Sequence, residues 1–237
     1  MSFNPHVSID CVVFGFDGEN LKVLLNERVI AEQNQNYNDK KLPGSLILDN
    51  EDLDSAASRV LSELTGLKNI YMSQFHSFGK PDRINNPRDI LWLEKTMNLK
   101  IGRIVTIGYV ALIKIDRKIQ QQSDVTTAKW YGIDEVSKMN LAFDHNEIIH
   151  SGLEYIRGKL DNDMQLLFEL LPGKFSISQL RTLHDTIYNK QSDVRNFQKK
   201  MSQIQYIIAL DEKQQGVKHR AARLYKFDKM LYKKMKN

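Results

Sequence analysis

Hydrophobic and polar positions alternate in two stretches near the start of the chain. Residues 7–16 and 21–28 are rich in β-branched and aromatic side chains, and the segment 17–20, which begins Asp-Gly, separates them. Because an Asp-Gly pair suits a tight hairpin turn, the pattern predicts two antiparallel strands. The polar segment Ala31 to Lys41 is expected to be a loop. The apolar, β-branched run from Ile104 to Ile115 is expected to be a central strand.

A helical period replaces the alternation from Glu51 to Leu64. Apolar residues recur there at i, i+4, i+7, i+8 and i+11, which places them on one helical face: Leu53, Ala57, Val60, Leu61 and Leu64. Asn50 is predicted to cap this helix, and Gly66 is predicted to end it. A short helix is expected near Glu135, and a longer one from about Asn146 to Leu160.

Residues 84–102 have no clear period. Pro87 and several charged residues interrupt the segment, which is predicted to be a loop with one short helix. Two interpretations stay open at this point: a cover over a pocket, or an ordinary surface excursion.

The C-terminal part predicts two helices joined by a short turn. After the apolar linker region 164–171, Ser176 and Gln179 have the spacing of a capping box, and Ser192 is predicted to cap the second helix. One stripe of the second helix is apolar and faces the core: Val194, Phe197, Met201 and Ile204. The next segments are expected to be a β-hairpin: a strand at 206–210, a turn at 211–216 and a returning strand at 223–227.

This order of elements is typical of a winged helix-turn-helix that binds double-stranded DNA. Arg195 and Asn196 are placed to contact base edges, because Arg suits guanine and Asn suits adenine. Lys199 and Lys200 are predicted to contact phosphates, and Gln203 lies on the same polar face. Further phosphate contacts are expected from the hairpin: Lys213, Lys218, His219, Arg220 and Arg223. His219 has no second ligand at a suitable spacing, so a phosphate contact is favoured over a metal ligand.

Charge is distributed unevenly along the chain. The net charge is +5, but residues 174–237 carry 15 Lys and Arg against 5 Asp and Glu, whereas residues 1–173 carry 19 against 24. An acidic body joined to a basic domain indicates a polyanionic partner. The single cysteine, Cys11, excludes an internal disulfide and a zinc site of several thiolates. We see no membrane span and no signal peptide, so a cytoplasmic location is expected.

Residues 44–67 resemble the Nudix box of the Nudix hydrolase superfamily. The resemblance rests on Glu51, Arg59, Glu63 and Gly66 at the family spacing, with Pro43-Gly44 just before. Three departures accompany it, at positions where the family has a glycine and two glutamates: Ser45, Val60 and Leu64.

These departures remove the carboxylates that would hold Mg²⁺. A hard cation needs several oxygen ligands, and of the three clustered box glutamates only Glu63 remains. We therefore predict no hydrolase activity, no catalytic residue, no metal and no cofactor. Glu63 is expected to form an i, i+4 ion pair with Arg59.

The whole chain resembles the Nudix-related transcriptional regulators. Besides the degenerate box, the similarity includes the segments 78–79, 82–83, 109–112, 143–145, 195–197 and 224–227. The resemblance implies a mixed α/β fold: a Nudix-type α/β/α sandwich at residues 1–158 that senses an effector, followed by a C-terminal winged helix-turn-helix domain at residues 159–237. It further implies a homodimeric repressor that leaves a palindromic operator when a small molecule binds.

The similarity is nearest to the arabinose-responsive branch, which implies a pentose effector and control of carbohydrate utilisation genes. Candidate effector-binding residues are Ser45, Asp82, Arg83, Tyr109 and His145. Asp82 and Arg83 are alternatively a structural pair, and Tyr109 is alternatively a core residue. ADP-ribose or a related NAD metabolite is the alternative effector.

Two rival functions remain at the level of sequence. One is an active Nudix pyrophosphatase of the ADP-ribose type with a nucleic-acid-binding appendage. The other is an RNA-binding adaptor, which the lack of an aromatic platform for single-stranded bases disfavours.

Overall fold

The computed structural model describes residues 2–32, 35–124, 126–216 and 221–236 of the chain. The chain forms two compact units, Met1–Gly15 with Lys22–Tyr155 and Phe16–Leu21 with Ile156–Asn237. Across the described residues, no helix is both long enough and apolar enough to cross a bilayer.

The N-terminal part of the chain begins with four strands, after which helices and strands follow one another. In chain order they are β1 (Phe3–Phe16), β2 (Leu21–Glu32), β3 (Gln35–Lys41), β4 (Gly44–Leu48), α1 (Leu53–Thr65), β5 (Ser73–Phe78), α2 (Pro87–Met97), β6 (Val105–Lys114), α3 (Arg117–Asp124), β7 (Ala128–Gly132), α4 (Ile133–Val136) and α5 (His145–Asn162), which continues past Tyr155.

The strands form one sheet with the order β3-β2-β1-β6-β5, in which β4 pairs with β1 and β7 pairs with β2. The predicted hairpin is confirmed, because β1 and β2 are neighbours on either side of the turn. The central strand is also confirmed, since β6 lies between β1 and β5 and is buried along most of its length.

The two faces of this sheet have different chemistry, because successive side chains of a strand point to opposite sides. On one face the odd-numbered residues of β1 and β6 pack against α1, among them Cys11, Val13 and Tyr109. On the other face Asp10 of β1 accepts a hydrogen bond from Thr106 of β6 at 2.7 Å. One face is therefore an apolar core, whereas the other holds buried polar groups.

Helix α1 begins two residues later than the sequence pattern indicates. Asp52, not Asn50, is the N-cap, and its carboxylate accepts the backbone N–H of Ser55 at 2.8 Å. The predicted end is confirmed: Gly66 adopts φ 73°, the left-handed conformation that favours glycine.

The predicted loop at residues 31–41 is wrong, because most of the segment is strand. β3 pairs with β2 in antiparallel register from Asn26 opposite Lys41 to Glu32 opposite Gln35. An edge strand needs no apolar alternation when backbone pairing holds it, so the polar composition concealed it. The short strand β5 and helix α3 were also not predicted.

The helix predictions in the middle of the chain hold. Residues 84–102 contain α2, capped by the Asn86 side chain and ended by Asn98 in the left-handed conformation at φ 51°. The short helix near Glu135 is α4, and the longer helix expected from Asn146 is α5.

The second unit contains a helix pair and a three-stranded sheet within the described residues. Its elements are α6 (Gln165–Glu169), β8 (Phe175–Ser176), α7 (Ile177–Tyr188), α8 (Val194–Ser202), β9 (Ile207–Lys213), β10 (Arg223–Phe227) and α9 (Lys229–Lys236), with the sheet order β8-β10-β9. Its core includes an aromatic stack of Phe168 on Phe227, with ring centroids 4.3 Å apart.

The helix-turn-helix and the hairpin are confirmed, with corrections at their ends. The capping box is present: Ser176 Oγ accepts the N–H of Gln179 at 3.2 Å, and the Gln179 side chain accepts the N–H of Ser176 at 2.9 Å. The cap of α8 is Asp193 and not Ser192, whose N–H donates to Asp185 instead. β9 runs to Lys213, past the start of the predicted turn.

Candidate functional site

Helix α8 presents a polar, cationic face to solvent. Phe197 and Met201 are buried against the rest of the unit. The five residues predicted to contact DNA from this helix are all exposed: Arg195, Asn196, Lys199, Lys200 and Gln203. A helix that exposes Arg, Lys and amide side chains along one face is suited to enter the major groove of DNA.

Val194 is wrongly placed in the predicted apolar stripe, because it is 56% exposed. It starts the helix beside the hairpin, where it lines a groove together with Gln198 of α8 and Tyr225 of β10. At the first position of α8 the apolar side chain therefore faces the groove and not the core.

The groove carries three cations from three elements. Arg181 of α7, Lys213 of β9 and Arg223 of β10 line it. Arg223 is fixed within the hairpin, since its Nε donates to the Leu210 carbonyl at 2.8 Å. The sequence analysis did not predict Arg181 as a site residue. Its spacing from Asp185, with which it pairs at 3.2 Å, is that of an ordinary i, i+4 ion pair within a helix. Lys218, His219 and Arg220, predicted at the tip of the wing, lie outside the described residues.

The Nudix-like box is held together by an ion pair at the start of α1. Arg59 Nε donates to Glu51 at 2.9 Å, and Glu51 also accepts the N–H of Leu48 at 2.7 Å. The Arg59 hydrogen bond holds the pKa of the Glu51 carboxyl below its ordinary value. The predicted pair of Arg59 with Glu63 is present at 3.3 Å, on a largely exposed Glu63.

The box does not fit a divalent cation. Val60 is fully buried and Leu64 packs against the same apolar cluster, so the positions that would supply two carboxylates supply core packing. Glu51 is already engaged by Arg59, which leaves Glu63 without a neighbouring oxygen ligand set. Among the described residues, no group of three His, Cys, Asp or Glu side chains is arranged to hold a metal ion.

A cavity lies on the opposite face of the sheet. Its walls come from β1, β4, the segment 83–84, α2 and the start of α5, and its volume is about 40 Å³. A cavity of this size holds about three water molecules. It is therefore too small for a nucleotide as it stands.

Four ionisable or polar groups are joined at this cavity. The Leu42 N–H donates to His145 Nδ1 at 2.9 Å, so Nε2 carries the proton and faces Asp10 at 3.4 Å. Burial alone would raise the pKa of the Asp10 carboxyl, but His145, Arg83 and Thr106 outweigh burial and hold that pKa below its ordinary value. This arrangement fixes the carboxylate and one imidazole tautomer in the wall.

Gly44 is required by the same packing. A Cβ at this position would lie 1.9 Å from Asp10 Oδ1 and 2.9 Å from the Ile9 carbonyl oxygen. No side chain fits there without moving the backbone of β1. The glycine therefore brings β4 against the polar face of the sheet.

Arg28 holds helix α2, which forms one wall of the cavity and is called its roof below. Its guanidinium is 5.1 Å from the ring centroids of both Trp92 and Phe143, and it pairs with Asp89 of α2 at 2.6 Å and with Asp39 of β3. One of its terminal nitrogens, Nη1, is buried without a hydrogen-bond partner. A buried orphan donor of this kind indicates a bound water or ligand group that would satisfy it.

The structure brings together three of the five predicted effector residues. Ser45, Arg83 and His145 line the cavity, whereas Asp82 is exposed and is not part of it. Tyr109 lies on the α1 face, where its hydroxyl donates to Asp54 at 2.5 Å.

Arg83 does not pair with Asp82. Its guanidinium donates to Asp144 at 2.9 and 2.7 Å. Sequence reasoning missed Lys41, Trp92 and Phe143, which also line the cavity. For Trp92 a signal was available: residues 84–102 combine aromatic and charged side chains, a composition that can indicate a segment bordering a pocket.

Comparison with known proteins agrees with both units. Residues 167–227 match the family model of the NrtR DNA-binding winged helix domain. The ADPR responsive transcriptional repressor NtrR of Acinetobacter baylyi is 26% identical over 229 residues, which are 94% of this chain and 82% of that protein.

Two crystal structures are similar over nearly the whole chain. NrtR of Shewanella oneidensis, complexed with a 27mer DNA, has a TM-score of 0.63 and 25% identity, covering 94% of this chain and 93% of that one. A MutT/nudix family protein from Enterococcus faecalis has a TM-score of 0.59 and 25% identity, covering 95% and 88%.

Fold and site together define a regulator that joins a Nudix-like domain to a DNA-binding winged helix of the NrtR type. In sequence and in fold the chain is similar to the Nudix-related transcriptional regulators.

Proposed function

We propose that the protein represses transcription by binding an operator through α8 and the wing, and that ADP-ribose or a closely related nucleoside diphosphate sugar releases it. The exposed cationic face of α8, within a matched winged helix, carries the DNA-binding part of this proposal. The name of the Acinetobacter relative, an ADPR responsive repressor, supports the choice of effector.

ADP-ribose replaces the free pentose expected from the sequence. None of the relatives compared is named for arabinose, and the cavity wall carries the cations Lys41 and Arg83. Lys41 Nζ donates to two neutral carbonyl oxygens, those of Leu42 and Gly44, so a phosphate group would give it a counter-charge that a neutral sugar cannot supply. We do not propose arabinose or carbohydrate catabolism further.

The Nudix-like domain is proposed to sense its ligand without hydrolysing it. Glu51 is committed to Arg59, and Val60 and Leu64 belong to the core. An active pyrophosphatase would need metal-binding oxygens at those two positions. We also propose a homodimer on a palindromic operator, because each chain offers one reading helix and a two-fold dimer would match two half-sites. Because a transcriptional repressor must reach chromosomal DNA, we also propose the cytoplasmic location expected from the sequence.

Arg195→Ala is expected to weaken binding to the operator by about 1–3 kcal/mol while leaving binding to random duplex nearly unchanged. Arg195 is exposed near the N-terminus of α8, where a side chain can reach a base edge. The operator is first selected from random duplex DNA, and affinities are then measured at several salt concentrations. Lys199→Ala is the matched control, since loss of a phosphate contact lowers affinity for both duplexes and reduces the salt slope. Equal losses on both duplexes for Arg195→Ala would rule out base reading.

ADP-ribose is expected to release the wild-type protein from the selected operator, and arabinose is not. The check is fluorescence anisotropy of labelled operator with each compound in turn, with product analysis in the presence of Mg²⁺. Release by arabinose alone would reverse the choice of effector. Steady hydrolysis of ADP-ribose would overturn the non-catalytic assignment.

A further inference from the structure

A second groove runs along α8 and shares none of its described lining residues with the groove beside the hairpin. Its walls come from the end of α5, the segment 164–167, α7, the turn 190–193, and α8 with Ile204. All of these parts belong to the second unit. The volume of the second groove is about 660 Å³, within the range of about 300–1,000 Å³ that small-molecule sites occupy. It is therefore large enough for an organic ligand.

The floor of the second groove is apolar. Six aliphatic, aromatic or thioether side chains form it, the first four buried and the last two partly exposed: Leu160, Leu167, Phe197, Met201, Met164 and Ile204. Covering apolar surface of this kind contributes about 25 cal/mol per Å² removed from water. An apolar group of a ligand would therefore be stabilised here.

Two lysines place positive charge at the rim of the same groove. Lys190 Nζ lies 5.1 Å from the ring centroid of Tyr188, which holds this ammonium over the groove. Lys200 extends from α8. Burial lowers the pKa of the His184 imidazole, the contact with Asp185 opposes that shift, and the charges of Lys190 and Lys200 lower the pKa further. Both ammonium groups therefore act on the same side of the groove, around His184.

The two carboxylates in the groove wall are already engaged. Asp161 accepts a hydrogen bond from the Tyr188 hydroxyl at 2.8 Å, and Asp193 caps α8 by accepting a backbone N–H at 2.8 Å. In the part of the chain that the structure describes, no carboxylate lies within ion-pairing distance of Lys190 or Lys200. The rim thus offers two cations without a counter-charge beside an apolar floor.

We propose that the second groove binds a small amphipathic carboxylate, a molecule with an apolar body and one terminal acidic group. The apolar body covers Met164 and Ile204, and the carboxylate pairs with Lys190 and Lys200. A DNA backbone has the charge but no apolar part, so it would leave the floor open. The site lies outside the Nudix-like domain and is independent of the effector proposed for that domain.

This ligand would act on DNA binding directly. Asn196 and Lys200 line the second groove and also belong to the exposed face of α8 that is predicted to contact DNA. A carboxylate paired with Lys200 removes one cation from the phosphate backbone and adds a negative charge close to it. Binding in the groove is therefore expected to lower the affinity for the operator.

Methionine methyl groups report the site in the full-length protein. The protein is isotope-labelled at these methyl groups, and sodium decanoate is titrated while the methyl signals are followed by NMR. We expect saturable shifts at Met164 and Met201, which line the groove. Met72, packed against the α1 core, and Met230, 82% exposed on α9, should not shift. Equal shifts at all four methionines, or none at Met164 and Met201, would overturn the proposal.

Charge and apolar contact are separated by matched ligands and variants. Decanol has the apolar body without the acid, and acetate has the acid without the body, so each should bind at least tenfold more weakly than decanoate. The double variant Lys190→Gln with Lys200→Gln should weaken decanoate binding about tenfold, because both ion pairs are lost. Lys174→Gln is the control, since Lys174 pairs with Glu212 at 2.7 Å and does not line the groove.

Thermal melting checks that these variants fold. Decanoate affinity within twofold of the wild type for the folded double variant would rule out the proposed ion pairs.

Fluorescence anisotropy of the labelled operator tests the effect on DNA. Saturating decanoate should weaken operator binding by the wild-type protein several-fold, and by Lys190→Gln to a smaller extent. Unchanged operator affinity in saturating decanoate would refute the coupling to DNA. If Lys190→Gln instead lowers the affinity for every duplex and reduces the salt slope by about one, while decanoate shifts no methionine, the groove cations contact the DNA backbone and the proposal fails.

Discussion

Val60→Glu is expected to lower the free energy of unfolding by about 3–5 kcal/mol and to yield no hydrolase activity. The substitution restores one box glutamate, but position 60 is fully buried in the cluster that joins α1 to β1 and β6. A carboxylate placed there has neither water nor a cation to compensate its charge. The measurement is urea unfolding at pH 7, together with an assay for ADP-ribose hydrolysis with Mg²⁺.

Ser58→Glu is the matched control, because Ser58 is exposed on the same helix. Its unfolding midpoint should stay close to that of the wild type. If Val60→Glu were as stable as the control, position 60 would not belong to the core that joins α1 to the sheet.

Arg28→Met should also destabilise the protein by about 3–5 kcal/mol, because it leaves the buried carboxylate of Asp89 and the partly exposed one of Asp39 without their cation. Arg28 is almost fully buried and pairs with Asp39 of β3 and Asp89 of α2. Methionine fills much of the same volume, so the loss reflects charge more than packing. Urea unfolding measures the effect, and increased proteolysis in 84–102 would show that the roof has loosened.

Lys129→Met is the contrasting variant at the protein surface. Lys129 of β7 pairs with Glu27, which precedes Arg28 in β2. Lys129 contacts Glu27 at 2.8 Å, and both side chains are largely exposed. Exposed ion pairs contribute little, so its unfolding midpoint should not change measurably. An equally small effect for Arg28→Met would mean that Asp39 and Asp89 are stable without a counter-charge.

Local signals in the sequence predicted the elements that depend on neighbours along the chain. The Ser176 capping box, the apolar stripe of α1 and its Gly66 stop each involve residues only a few positions apart. The chemistry that produces them is therefore visible in a short window. The errors of one or two residues at Asp52 and Asp193 arose where several capping residues stand side by side.

The candidate binding cavity could not be predicted in the same way. Its wall joins Asp10, Lys41, Arg83 and His145, which are far apart in the chain and meet only because of the strand order. Arg83 and Asp144 are separated by 61 positions. Lys41 is the last residue of a segment that the pattern had assigned to a loop, so nothing local indicated that its ammonium is buried. The resemblance supplied Ser45, Arg83 and His145, but not the face of the sheet on which they lie.

The steric demand at Gly44 bears on how enzyme signatures are used in genomes. A Cβ at this position would collide with the Asp10 carboxylate, so the glycine is a requirement of folding whether or not the domain carries out chemistry. A pyrophosphatase assignment that counted this glycine would therefore rest on a demand of sheet assembly and not on a contact with metal or substrate.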